Sequence, residues 1–149
     1  MPQSLAQIYI HIIFSTKSRV PFLDDRKIRE KMHAYLAAVF REYDSKAIIG
    51  GGMPDHVHIL SNLSRKFTIA EIVREAKRNS SKWVKTEGDT LSKFGWQNGY
   101  GVFSVSRSNM SQVQAYIRNQ ENHHTGMDFR NEYRKFLRRH WVEFDERYV

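Results

Sequence analysis

The stretch Pro54-Asp55-His56-Val57-His58-Ile59-Leu60 decides how this chain is to be read. Its branched apolar residues mark a strand, and two histidines take alternate positions in it. Side chains alternate between the faces of a strand, so His56 and His58 point one way and Val57 and Ile59 the other. The Val57/Ile59 side suits packing beneath helices. The histidine side sets two imidazoles next to each other on a rigid platform, which makes a bidentate metal site. The structural alternative is a pair of hydrogen-bonded histidines on an exposed sheet face.

Upstream, Lys46-Ala47-Ile48-Ile49 reads as a short strand broken by the glycines at 50–52 and by Pro54. Residues 5–15, LAQIYIHIIFS, read as a central strand. Between these two, Asp24-Asp25 can cap a helix to about Tyr43, with Ile28, Met32, Tyr35, Leu36, Val39 and Phe40 on one face. Downstream, Thr68-Ile69-Ala70-Glu71 is a capping box, with Phe67 and Ile72 placed as a hydrophobic staple. The helix that it opens has Ile69, Ile72, Val73, Ala76 and Trp83 on one side, and Arg74, Lys77, Arg78, Lys82 and Lys85 mostly on the other. A fourth strand is expected over 101–106, then a polar helix through Tyr116 and Gln120 towards His123-His124. A last helix, roughly 128–140, carries Phe129, Tyr133, Phe136 and Leu137. The order β-α-β-β-α-β predicts an α+β, ferredoxin-like antiparallel sheet with helices on one face, its first and third strands central, plus C-terminal helices.

Composition narrows the partners. The 149 residues suit one domain over 1–149, and 40% hydrophobic residues with 13% aromatics exclude a disordered chain. Twenty-four Lys+Arg against 16 Asp+Glu give a net charge of +8, which favours a polyanion, nucleic acid first. The absence of cysteine excludes disulfides and thiolate metal sites. No apolar run approaches the ~20 residues that span a bilayer. The N-terminal MPQSLAQIYIHIIF lacks a basic leader and a small-residue cleavage site, so a cytoplasmic protein without membrane contact is expected.

Two imidazoles leave a metal site incomplete. Gln120, His123 and His124 are candidate ligands, as is Asp55, although alternation places Asp55 on the face opposite His56. Nitrogen and amide-oxygen donors suit Mg²⁺ or Mn²⁺, with Zn²⁺ if a third histidine joins. Tyr116 and Gln120 are four residues apart and share a helix face. If Gln120 reaches the metal, Tyr116 arrives beside it, where a cation favours the phenolate of a group with a pKa of about 10. The alternative for Tyr116 is a half-buried core aromatic. Its helix is mostly polar, with only Val113, Ala115 and Ile117 to pack, as expected of a carrier of a reactive group.

His-hydrophobic-His on a strand, followed by Tyr116-Ile117-x-x-Gln120 on a polar helix, resembles the single-tyrosine HUH transposases of the insertion sequence 200/605 family. The stretch WQNGYGVFSVS at 96–106 and NQENHH at 119–124 resemble that family too, so the likeness covers nearly the whole chain. The resemblance implies cleavage and rejoining of single-stranded DNA at mobile-element ends through a covalent 5′-phosphotyrosine, with recognition of imperfect hairpins near those ends. It implies that His56, His58 and Gln120 hold the ion and that Tyr116 attacks. For DNA phosphates the candidates are Lys17, Arg19, Arg65, Lys66 and the stripe Arg74, Arg78 and Lys82. The uncharged fourth strand would be an aggregation-prone sheet edge, so a homodimer paired through it is expected, and the resemblance favours a tyrosine acting in the partner's site.

Rival readings remain. Asn98-Gly99-Tyr100-Gly101-Val102-Phe103 partly resembles the aromatic motif of a non-enzymatic single-stranded RNA- or DNA-binding module on the same fold. It lacks the leading basic residue and falls on the fourth strand. A water-using metal nuclease, and a replication initiator or relaxase, are the enzymatic rivals.

Overall fold

The computed structural model describes residues 3–123 and 127–149. Four strands, β1 (Tyr9–Ser15), β2 (Ala47–Met53), β3 (His56–Asn62) and β4 (Gly101–Val105), form one antiparallel sheet in the order β2-β3-β1-β4. This is the ferredoxin-like order, with the histidine strand and β1 in the middle. On one face lie α1 (Arg26–Glu42) and α2 (Ile69–Val84), and on the other α3 (Met110–Arg118), α4 (Gln120–His123) and α5 (Phe129–Arg139).

The helix starts follow local chemistry. The Asp25 carboxylate accepts hydrogen bonds from the backbone N–H groups of Lys27 and Ile28, and the Thr68 hydroxyl accepts one from Glu71 N–H. Each cap satisfies N–H groups that the first helical turn leaves open, worth about 1 kcal/mol. Val57 and Ile59 join Ile10, Ile12, Phe14, Leu36, Phe40 and Ile72 in the main core under α1 and α2. The opposite face holds two smaller apolar clusters. Leu60, Met110 and Ile117 anchor α3, and Ile13, Phe103, Phe129 and Leu137 anchor α5.

Three expectations are corrected. The first strand starts at Tyr9, not at residue 5, and Leu5 is exposed. The glycine run does not break the second strand: Gly50, Gly51 and Gly52 pair with Ile59, His58 and Val57 inside β2. A Cβ on Gly51 would lie 2.6 Å from the Ile117 carbonyl oxygen, so this glycine lets α3 rest directly on the sheet. Gly52 has φ +150°, and a side chain there would strike the His56 carbonyl, so glycine also closes the hairpin around Pro54-Asp55. The polar helix is not continuous. It ends at Arg118, and Gln120 opens a separate turn.

Candidate functional site

The β1–β3 register sets Ile13 opposite His58 and His11 opposite Leu60, and β4 sets Phe103 opposite His11. Directly paired residues share a face, so His11, His56 and His58 all point into the layer of α3, α4 and α5. Both motif histidines are fully buried there, which removes the exposed-face alternative.

Each imidazole is held from behind. The His56 Nδ1 lies 2.7 Å from Asp55 Oδ1, and the His58 Nδ1 lies 2.8 Å from His11 Nε2. Asp55 sits in the hairpin turn, not in the strand, so strand alternation does not apply and its carboxylate turns back onto His56. Its backbone carbonyl is pinned by Thr16 N–H at 2.8 Å. Both Nε2 atoms are thereby directed at one point. At that point stands Glu132 of α5, a residue that the sequence reading had missed. Its Oε1 lies 2.9 Å from His58 Nε2 and 3.3 Å from His56 Nε2. Its Oε2 accepts a short hydrogen bond from the Tyr116 hydroxyl and one of 3.2 Å from Gln120 Nε2. The Gln120 Oε1 in turn lies 3.1 Å from His56 Nε2.

The centre thus brings together His56, His58, Tyr116 and Gln120 around one buried carboxylate. Two contacts between α1 and α4 fix Gln120 in place. Glu121, its neighbour, accepts from Arg26 at 2.6 Å and from Arg29 at 2.9 Å, and Arg29 is itself buried and tied to the Leu23 carbonyl. The tyrosine enters the site of its own chain. His124 and the side chain of His123 lie outside the described residues.

Burial and charge set the protonation states. Burial alone would lower the pKa of His56, but its hydrogen bonds to Asp55 and Glu132, and their charges, raise it from 6.5 to about 9. The folded protein therefore holds this proton more tightly than the unfolded chain does. The resulting stabilisation is complete below pH 6.5 and is lost as pH rises through about 9. His11 is pushed well below its usual value by burial and by His58, so it stays neutral. A neutral His11 can take the Nδ1 proton of His58 as acceptor, leaving the His58 Nε2 lone pair for the centre. Burial and Glu132 raise Tyr116, so its phenol is protonated at rest.

His56, His58 and Glu132 offer ligand atoms that all lie within 4.8 Å of one another. With Gln120 Oε1 the donors are nitrogen and oxygen only. Neighbouring donor separations of 2.9, 3.1 and 3.3 Å match those around a single small ion with bonds of about 2.1 Å. The residues fit a divalent ion.

The basic candidates lie elsewhere. Lys17 and Arg19 follow β1 and Arg65 and Lys66 precede α2, all four exposed. Arg74, Arg78 and Lys82 line the outer side of α2, on the sheet face opposite the histidines, and Arg74 and Arg78 both lean on Glu75 at 3.5 and 3.6 Å. Lys77 leaves that stripe. Its ammonium donates to the Gln97 and Gly99 carbonyls at 2.8 and 2.6 Å, and burial lowers its pKa to about 8. It tethers the loop before β4. Among the described residues, no helix is long and apolar enough to cross a membrane.

The family model described as "Transposase IS200 like" matches residues 4–120, a span that includes His56, His58, Tyr116 and Gln120 but stops short of Glu132. No curated protein matches the chain. One similar solved structure is a candidate transposase from Deinococcus radiodurans R1, 23% identical with a TM-score of 0.62, covering 80% of this chain and 95% of that one. Another is a REP-associated tyrosine transposase bound to a REP hairpin, 13% identical with a TM-score of 0.61, covering 85% of this chain and 74% of that one. At these identities the two structures speak for the fold alone.

Proposed function

The chain belongs to the IS200-like transposase family, and from that membership we propose that it cleaves and rejoins single-stranded DNA at mobile-element ends through a covalent bond between Tyr116 and a 5′-phosphate. The observation that carries the reading is the convergence of the Tyr116 hydroxyl with His56, His58 and Gln120 on one buried carboxylate. Residues 1–149 act as one domain in the cytoplasm, where the DNA is.

His56, His58 and Gln120 would hold Mg²⁺ or Mn²⁺, with Glu132 Oε1 beside them. Such an ion, when bound, polarises the scissile phosphate and offsets the negative charge that keeps Tyr116 protonated. The chain's own residues handle the proton. As the phenol oxygen attacks phosphorus, its proton passes to Glu132 Oε2, the bond from phosphorus to the 3′-oxygen breaks, and the 3′-oxygen takes up a proton from water. In rejoining, the 3′-hydroxyl of a second strand attacks the phosphotyrosine. Its proton goes to water, and Glu132 returns its own to Tyr116. The phosphodiester energy is conserved in the protein–DNA bond, so no external energy source enters.

The direct test incubates the protein with single-stranded DNA from the element's ends and a divalent ion, then maps the adduct by mass spectrometry. A phosphotyrosine at residue 116 is expected. An adduct on another tyrosine, or cleavage without any adduct, removes the assignment.

Metal binding should depend on pH with a defined sign. His56 must give up its proton to ligate, so one proton is released per ion below pH 9, and affinity should climb about tenfold per pH unit from 7 to about 9 and then level off. Calorimetry in buffers of different ionisation enthalpy counts the protons. A flat affinity over that range would mean that His56 is already neutral.

The α2 stripe, on the far face, would take the phosphates of a hairpin stem while the unpaired strand enters the histidine face. The functional unit would be a homodimer paired through β4, a sheet edge with no charged residue. Mixing Tyr116→Phe chains with His56→Ala chains decides whether its sites are shared. Recovered cleavage after subunit exchange requires a tyrosine from the other chain. No recovery leaves each chain with its own.

A further inference from the structure

Beside Tyr116 lies a cavity of about 290 Å³, bounded by β4, α3 and α5. Its lining is aromatic on one side. Phe103 stacks with Phe136, ring centres 5.7 Å apart at 24°, and with His140 at 4.6 Å and 28°. From α3 come Val113 and the amide of Gln112, and from α5 the cations Lys135 and Arg139. Both cations are exposed, and among the described residues neither has an acidic partner. The cavity therefore combines flat apolar rings, an amide for a base edge, two available positive charges, and a nucleophile's ring as one wall. It falls just below the roughly 300 Å³ at which small-molecule pockets begin, so it admits one base and its sugar but no duplex.

We propose that this cavity receives a single unpaired nucleotide of the DNA strand, the one adjoining the phosphate that Tyr116 attacks. The base stacks against the Phe103, Phe136 and His140 rings, and Lys135 and Arg139 hold the next phosphate. The inference rests on Tyr116 being the nucleophile, and it gives the substrate a feature that the histidine centre does not specify. The target nucleotide is unstacked from its neighbours before the chemistry begins. Aromatic stacking accepts any base, so selection of sequence must then come from elsewhere on the strand.

Binding can be read without cleavage. The full chain is titrated, in the presence of a chelator, with a labelled short single-stranded DNA of random sequence and with the same DNA as a duplex. Val113→Trp, which fills the cavity, should weaken single-strand binding about tenfold, the value of about one stacked base. Lys135→Ala with Arg139→Ala, both at the surface, should reduce the slope of log affinity against log salt by about 0.7, the value of one phosphate contact on a single strand. Duplex binding should not change. A strand carrying 4-thiothymidine beside the cleavage position should photocrosslink to the peptide holding Phe136 and His140. Wild-type single-strand binding by both variants overturns the proposal, as do crosslinks confined to α2. A shift in dimerisation by Val113→Trp with an unchanged salt slope would give the cavity to a second copy of the chain. Cleavage plays no part in these readings, so failure of Tyr116 as nucleophile would appear separately, as a missing adduct with the binding effects intact.

Discussion

The Tyr116→Phe protein is expected to lose strand cleavage by a factor on the order of 10⁶, the scale on which enzymes lose activity when the attacking atom is removed. The substitution is conservative for the fold. The ring keeps its edge contacts with Phe136 and His58, at 5.5 and 5.8 Å between centres. The hydroxyl's hydrogen bonds to Glu132 and Gln120 go, but the Glu132 carboxylate retains His56, His58 and Gln120, so a net loss of about 1–2 kcal/mol is the structural cost. Single-stranded DNA should still bind, because the basic residues proposed to meet its phosphates lie outside the centre. Quantitative cleavage assays with a folding control by circular dichroism give the result. Undiminished cleavage would transfer the chemistry to a water-using nuclease and make Tyr116 a wall.

The second large effect is expected from Glu132→Gln. The amide keeps the size of the side chain but brings no negative charge and a poorer proton acceptor. Cleavage should fall by about 10² to 10⁴, the usual contribution of a positioned base. The pKa of metal-free His56 should drop from about 9, since one of the two groups that raise it has gone, and the loss of stability between pH 6.5 and 9 should flatten with it. An imidazole titration by NMR reads this directly. Glu132→Ala is the less informative change, because stripping a buried imidazolium of a partner costs about 3–5 kcal/mol and risks the fold. Wild-type cleavage by Glu132→Gln would leave this carboxylate a structural tie.

The strand alternation around His56 and His58, the caps at Asp25 and Thr68, and the order of elements were legible because local rules and tertiary packing agree there. What the sequence hid, it hid for physical reasons. Glu132 lies in the stripe of Phe129, Tyr133 and Phe136, three residues after the first and four before the last. A carboxylate inside an apolar helix face was the available signal, overshadowed by the polar residues around it. His11 sits in a run of isoleucines and reads as one more core position. Alternation places Asp55 on the face opposite His56, but that rule stops where the turn begins. The break at Asn119 carries neither glycine nor proline, and beyond it Glu121 meets Arg26 and Arg29 of α1, contacts that no local rule in the sequence marks. The glycine run reads as a strand break because glycine weakens a strand interior, whereas here a helix lying on the strand demands it.

Gly51 takes part in no chemistry, yet Ile117, whose carbonyl would meet its Cβ at 2.6 Å, is the immediate neighbour of Tyr116. Any side chain at residue 51 must lift α3, and the lift would carry the phenol away from the histidines. A misplacement of about 1 Å can cost about a hundredfold in rate. The reach of the nucleophile is therefore encoded partly in atoms that are missing. Natural variation at residue 51 could tune the enzyme continuously, from active to silent, without touching one reactive group.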